Sequence, residues 1–179
     1  MYLDRKVMEI VKFVAHIIHE LFPNRLDRRM SIGDACNPYN ECKNHPNGSH
    51  TGGFSLDLNY YTFNEFNTTQ YQPGKKGDPI WERTKIFYPG CTYLPNPRQF
   101  DWQRNYICWW IFKQIFPGFK VMSSDTIYDY MYAEIMKFYG IQKATEFKYF
   151  VMKTGKTTYN HHTHDHLMFR KKINKINIK

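Results

Sequence analysis

Histidines and carboxylates gather in two short stretches of this chain, with a spacing suited to metal chemistry. The segment HHTHDH, residues 161 to 166, holds four of the eight histidines together with an aspartate. Upstream, His50 and Asp57 stand seven residues apart in GSHTGGFSLDLNY. A catalytic zinc ion usually takes three protein ligands from His, Asp, Glu or Cys and keeps a fourth position for water. The histidine segment can supply one or two of these ligands, and the upstream pair can supply the others.

Both stretches coincide with patterns that predict β-strands. In FSLDLNYYTF, apolar and polar residues alternate, which predicts a half-buried strand with Asp57 on its polar face. In HDHLMFR, the same alternation places His164 and His166 on one face and turns Leu167 and Phe169 toward the core. If the two strands pair, a carboxylate and histidines converge on one side of a sheet. A rigid strand fixes a ligand better than an isolated histidine tract does.

Four motifs together resemble the penicillin-insensitive murein endopeptidases. These zinc peptidases belong to a wider group with the lysostaphin-type endopeptidases, the D-alanyl-D-alanine metallopeptidases and the hedgehog fold. Their pattern is a Gly-Asp segment, a Ser-His followed by Gly and Asp three and seven residues after the His, an Arg-Asn pair that opens a helix, and His-x-x-His-x-His. The matching segments occur here in the same order: SIGD (31 to 34), SHTGGFSLDL (49 to 58), FDWQRNY (100 to 106) and HHTHDHLMFR (161 to 170).

The resemblance implies a role for each matching residue. One zinc ion would be held by three ligands, His50, Asp57 and His166. Two histidines would serve catalysis, His164 as the general base and His161 as an auxiliary residue. Three further residues would support the ligands or contact the substrate: Asp34, Ser55 and Asn105. The chain departs from the family at Ser55, where an acidic residue is frequent, and at the Leu-Met-Phe-Arg that replaces Val-Arg after the last histidine.

The length of 179 residues favours one domain, since single cores extend to about 100 to 200 residues. Helical spacing of apolar residues predicts an N-terminal helix over 3 to 22, followed by a catalytic core over about 31 to 170 and a basic tail over 171 to 179. Further helices are expected from Asp101 to Phe116 and from Ser124 or Asp125 to Gly140, with a short strand between them. The expected fold class is α+β, with a small central antiparallel sheet that carries the zinc site, flanked by helices and long loops.

Charge and the N-terminal sequence bear on partners and location. The net charge of +9 and the pI near 9.3 favour binding to a polyanion, such as nucleic acid, an anionic membrane or an acidic cell wall. Glu9, Lys12, His16 and His19 interrupt every apolar run near the N-terminus, so we expect neither a signal peptide nor a transmembrane segment. The oligomeric state is left open. Cys36 and Cys42 are close enough to form a disulfide, although free thiols are equally consistent with the sequence.

The sequence therefore favours a zinc-dependent endopeptidase that cleaves a peptide cross-link of bacterial peptidoglycan. A phage origin is conjectured, with action on the wall at lysis or from a virion. The alternative is an inactive binding or virion structural protein that retains the peptidase fold. Specific nucleic-acid binding is disfavoured, because no recognition helix, glycine-rich loop or RNP-type strand is present.

Overall fold

The computed structural model describes residues 3 to 25, 30, 32 to 35, 54 to 63, 100 to 154 and 164 to 169. Three helices lie in these ranges: α1 (Arg5–Leu21), α2 (Trp102–Ile115) and α3 (Asp125–Phe150). Five strands accompany them: β1 (Ile32–Ala35), β2 (Ser55–Asn59), β3 (Lys120–Ser123), β4 (Val151–Lys153) and β5 (His164–Met168). The described part of the chain is thus α+β, as expected.

The five strands form one sheet in the order β1-β2-β5-β3-β4. Three neighbouring pairs are antiparallel, but β3 and β4 are parallel. The prediction of a purely antiparallel sheet is therefore wrong, and the sheet is mixed. Parallel strands need a long crossover connection, usually a helix. Helix α3 supplies that connection, because it leads directly from β3 to β4.

Helix α1 confirms the N-terminal helix predicted from apolar spacing. Its cap is Asp4, whose side chain accepts hydrogen bonds from the backbone N–H groups of Lys6 and Val7. The buried face consists of Val7, Val11, Val14 and Ile18, at intervals of four, three and four residues. This face packs against α2. None of the helices in the described ranges is long and apolar enough to cross a membrane.

Helix α3 extends beyond its predicted end. Its cap, Ser124, accepts a hydrogen bond from the backbone N–H of Ile127, as expected. At Gly140 the helix breaks, with φ 83° and ψ 174°, but a second helical segment continues to Phe150. The prediction that the helix ends at Gly140 is therefore wrong, although regular helix geometry is interrupted there. The second segment carries the chain to β4, a strand that the sequence pattern did not predict.

An aromatic cluster anchors the end of β5. Phe169 directly follows the strand, and its ring centroid lies 5.3 Å from that of Phe112, 5.0 Å from Phe116 and 5.4 Å from Phe119. Phe169 and Leu167 are both buried, which confirms the predicted core face of this strand. Offset and edge-to-face ring contacts at these distances stabilise beyond simple area burial. The cluster fixes the strand that carries His164 and His166.

Gly140 should be intolerant of a side chain even though a Cβ would have no heavy atom within 4 Å. Its backbone conformation is one that only glycine adopts readily. We expect Gly140→Ala to lower the free energy of unfolding by about 1 to 3 kcal/mol, measured by chemical denaturation. Gln142→Ala, at an exposed helical position two residues away, is the control and should change stability little. Equal stability of the two variants would show that the break is not a constraint of the fold.

Candidate metal centre

The two predicted site strands are neighbours in the sheet. Strands β2 and β5 pair antiparallel, and Asp57 lies directly opposite His166 in the register. The neighbouring pair on the same face joins Asn59 to His164. Opposed residues on adjacent strands bring their Cβ atoms to within about 5.5 Å, close enough for direct side-chain contact. The pairing on which the predicted site depended is therefore confirmed.

Asp57 lies between two imidazole rings. Its Oδ1 is 2.9 Å from Nδ1 of His166, and its Oδ2 is 3.7 Å from Nε2 of His164. Asp57 and His166 are buried, whereas the side chain of His164 keeps 22% of its surface exposed. One carboxylate thus contacts a buried histidine and a histidine that solvent can reach. The predicted ligand His166 and the predicted general base His164 thus differ in exposure.

The burial of Asp57 exceeds the expectation of a half-buried strand. Ser55 and Asp57, on the predicted polar face, are 4% exposed each, so β2 is covered on both faces along most of its length. Alternation of polar and apolar residues distinguishes the two faces of a strand but not their exposure. A buried carboxylate requires hydrogen bonding, an opposite charge or a metal ion to offset desolvation. Asp57 is therefore not a solvated surface residue, and its contact with His166 supplies part of this offset.

Gly33 allows β1 to approach Asp57 closely. A Cβ placed on Gly33 would lie 3.3 Å from the Cβ of Asp57 and 3.6 Å from its carbonyl oxygen. That separation is tighter than ordinary van der Waals contact, and the neighbour here is a strand residue with little freedom to move. The glycine of the Gly-Asp segment thus shapes the surroundings of the carboxylate. Its partner Asp34 lies in β1, but the side chain of Asp34 is outside the described part of the chain.

The donor set suits zinc, because imidazole nitrogen and carboxylate oxygen are both common zinc ligands. Bonds of about 2.1 Å in a tetrahedral site hold two ligand atoms about 3.4 Å apart. The observed 2.9 Å between Oδ1 of Asp57 and Nδ1 of His166 would need to open by about half an ångström. Small side-chain rotations suffice for that change. Asp57 and His166 therefore fit two of the three predicted ligand positions.

Only some of the other predicted site residues lie in the described part of the chain. The third ligand His50 and the auxiliary His161 lie outside the described residues. Within those residues, no group of three or more His, Cys, Asp or Glu side chains is arranged to hold a metal ion. Ser55 shares the face of Asp57 and lies opposite Met168. The described part of the centre thus consists of Asp57, His164 and His166, and two of these, Asp57 and His166, are predicted ligands.

Asn105 supports the strand that carries Asp57. Its side-chain Oδ1 accepts a hydrogen bond from the backbone N–H of Tyr61, and its Nδ2 donates to the carbonyl of Tyr61, both at 3.0 Å. The same Nδ2 donates to the carbonyl of Asp101 at 2.8 Å. The amide group thus binds the main chain two residues beyond the end of β2, much as a neighbouring strand would. These contacts assign Asn105 a positioning role and leave the predicted substrate contact without support.

The neighbouring Arg104 reinforces the same connection. It is buried, and its guanidinium donates to the carbonyl of Thr62 and lies over the Tyr61 ring, 4.4 Å from the centroid. Its Nε lies 3.4 Å from Oδ2 of Asp101, which also contacts Arg25 Nε at 3.1 Å. A buried arginine is tolerated when its charge is paired and its N–H groups are bonded. The Arg-Asn pair at the start of α2 thus fastens the exit of β2 to the helix.

Asp165 is a buried residue for which the sequence pattern predicted no role. It lies between His164 and His166, so its side chain projects from the opposite face of β5, where it is 1% exposed. Burial raises the pKa of its carboxyl well above the usual value, the Ser123 and Tyr60 hydroxyls offset part of that rise, and the charge of Asp57 adds to it. The alternation of the strand indicated this burial, since Asp165 shares the core face predicted for Leu167.

Comparisons with known protein families, with characterised proteins and with solved structures gave no match. The chemistry of the centre is therefore inferred from its own side chains. These are a buried aspartate and a buried histidine in contact, with a second, half-buried histidine beside them.

Replacing Asn105 should loosen the exit of β2. We expect Asn105→Ala to cost about 2 kcal/mol or more of unfolding free energy, because buried main-chain groups of Tyr61 and Asp101 lose their partner. Chemical denaturation measures this loss. Gln114→Ala removes an exposed amide from the same helix and should be nearly neutral. A neutral Asn105→Ala variant would contradict the positioning role.

Proposed function

We propose that this protein is a zinc-dependent hydrolase that cleaves a peptide cross-link of bacterial peptidoglycan. The observation that carries the proposal is the Asp57 carboxylate placed between His166 and His164 on paired strands. The resemblance of the four motifs to the murein endopeptidases supports the reaction class. The net charge of +9 supports the substrate, since bacterial walls carry acidic polymers.

Asp57 and His166 would hold the metal ion, together with His50. Zinc, when bound, supplies a Lewis acid and lowers the pKa of a coordinated water to about 7. The carboxylate of Asp57 offsets part of the charge of the ion. Because Asp57 and His166 are buried and fixed by the sheet, they would present their donor atoms with little rearrangement.

His164 is suited to move a proton. Its Nε2 lies 3.7 Å from Asp57 Oδ2, and its side chain is partly exposed to solvent. In the proposed reaction the imidazole accepts a proton from the attacking water and delivers it to the departing amine. A positioned general base of this kind contributes about a hundredfold to ten-thousandfold in rate. His161 would assist from the adjacent segment.

Three variants separate metal binding from catalysis. We expect one zinc ion per parent chain, measured by elemental analysis after dialysis, and cleavage of purified peptidoglycan, measured by mass spectrometry of released fragments. Asp57→Ala and His166→Ala should lose both properties. His164→Gln should keep the zinc and lose about a hundredfold or more in rate. His16→Ala, on the exposed face of α1, is the matched control and should change neither property.

The results of these measurements distinguish the hydrolase from its alternative. Zinc bound through Asp57 and His166 without wall cleavage would favour the alternative of an inactive binding or virion component. A parent protein that neither binds zinc nor cleaves peptidoglycan would contradict the proposal altogether.

Gly33 should affect the affinity for zinc although it is not a predicted ligand. We expect Gly33→Ala to weaken zinc affinity about tenfold, because its methyl group would press on the Cβ of Asp57. Competition with a chromophoric chelator measures the affinity, and circular dichroism checks the fold. An unchanged affinity would show that the close approach of β1 has no bearing on the metal.

A further inference from the structure

The break in α3 produces an exposed apolar corner, which we name the helix corner and define as residues 136 to 142. Every residue in this run is exposed. Four of the seven are large apolar or aromatic side chains, with exposed fractions of 44% for Met136, 55% for Phe138, 42% for Tyr139 and 60% for Ile141. Scattered exposed apolar residues are common on proteins, but a contiguous group of this kind is typical of an interaction surface.

The helix corner is held in place by contacts with buried aromatic residues. The Phe138 ring lies 5.2 Å from the Trp102 ring, and Tyr139 lies 6.0 Å from Trp102 and 5.6 Å from Tyr106. Gly140 directs the chain through a conformation that other residues rarely adopt. The fold therefore presents these apolar side chains outward from fixed positions. A merely frayed helix end would not have this support.

Positive charge accompanies the apolar side chains. Residues 134 to 150 contain three lysines and two glutamates. Lys137 Nζ lies 5.0 Å from the centroid of the Phe138 ring, beside the apolar side chains themselves. Lys143 forms an ion pair with Glu146 at 2.7 Å, and the chain as a whole carries a charge of +9. Lys137 thus places a positive charge directly at the helix corner of a basic protein.

Apolar and aromatic side chains next to lysines suit the interface of an anionic lipid bilayer. Phe, Tyr and Ile insert into the boundary between headgroups and acyl chains, while lysine stems extend the ammonium groups to the phosphates. A protruding corner needs a complementary cavity in a folded partner, whereas a fluid bilayer deforms around it. We propose that the helix corner docks the protein on a membrane surface containing anionic phospholipids. This inference goes beyond the proposed hydrolase and does not depend on it.

Vesicle binding tests the apolar part of the proposal. We expect the full chain to sediment with phosphatidylglycerol-containing vesicles and far less with phosphatidylcholine vesicles. The double variant Phe138→Ser and Ile141→Ser should bind these vesicles more weakly than the parent, by about tenfold or more. Phe13→Ser removes a comparably exposed aromatic side chain from α1 and should bind like the parent. Circular dichroism of each variant checks that a loss of binding is not a loss of fold.

A second pair of variants tests the charge. Lys137→Glu should weaken partitioning about fivefold or more, and added salt should weaken that of the parent. Lys6→Glu makes the same charge change on the exposed surface of α1 and should have a smaller effect. Equal effects of the two substitutions would overturn the proposal in favour of attraction by net charge alone. Three other outcomes would also overturn it: no vesicle binding, binding that survives the double variant, or a corner that mediates self-association or peptidoglycan binding in place of vesicle binding.

Discussion

The contact between Asp57 and His166 depends on the register of β2 and β5. The two residues are directly opposed, and their side chains meet at 2.9 Å. A slip of one residue would turn one set of side chains to the other face of the sheet and separate the pair. Leu56 and Leu167, opposed on the other face and fully buried, resist such a slip because it would remove them from the core. The hydrophobic core thus maintains the geometry of the polar centre.

Contacts beyond the ends of both strands secure this register. Asn105 and Arg104 hold the chain after β2 through the main-chain groups of Tyr61 and Thr62. Phe169 holds the chain after β5 within a cluster of aromatic rings, and its backbone N–H donates to the carbonyl of Phe54. Polar anchoring on one strand and aromatic anchoring on the other leave the facing side chains little freedom. Such preorganisation is what a metal centre or a proton-transfer site requires.

Local signals in the sequence predicted the elements of the site better than the sheet around them. The faces assigned by alternation in both strands, the helix starts at Asp101 and Ser124 and the apolar spacing of α1 agree with the structure. The parallel pairing of β3 and β4 was not predicted, because the whole of α3 separates the two strands in sequence and a local pattern does not contain their pairing. The burial of Asp57 was missed for a related reason, since exposure is decided by elements distant in sequence. Asn105 was found as part of a motif, but only the structure shows that its amide binds the main chain of Tyr61.

The central claim is that Asp57 and His166 are ligands of one metal ion, and anomalous X-ray diffraction at the zinc edge from crystals grown with zinc tests it most directly. The account predicts one strong peak within bonding distance, about 2.0 to 2.2 Å, of both a carboxylate oxygen of Asp57 and Nδ1 of His166. The hydrogen-bond contact of 2.9 Å between those atoms would then be replaced by two metal bonds. A peak elsewhere in the molecule, or none while the two side chains remain in direct contact, would contradict the account.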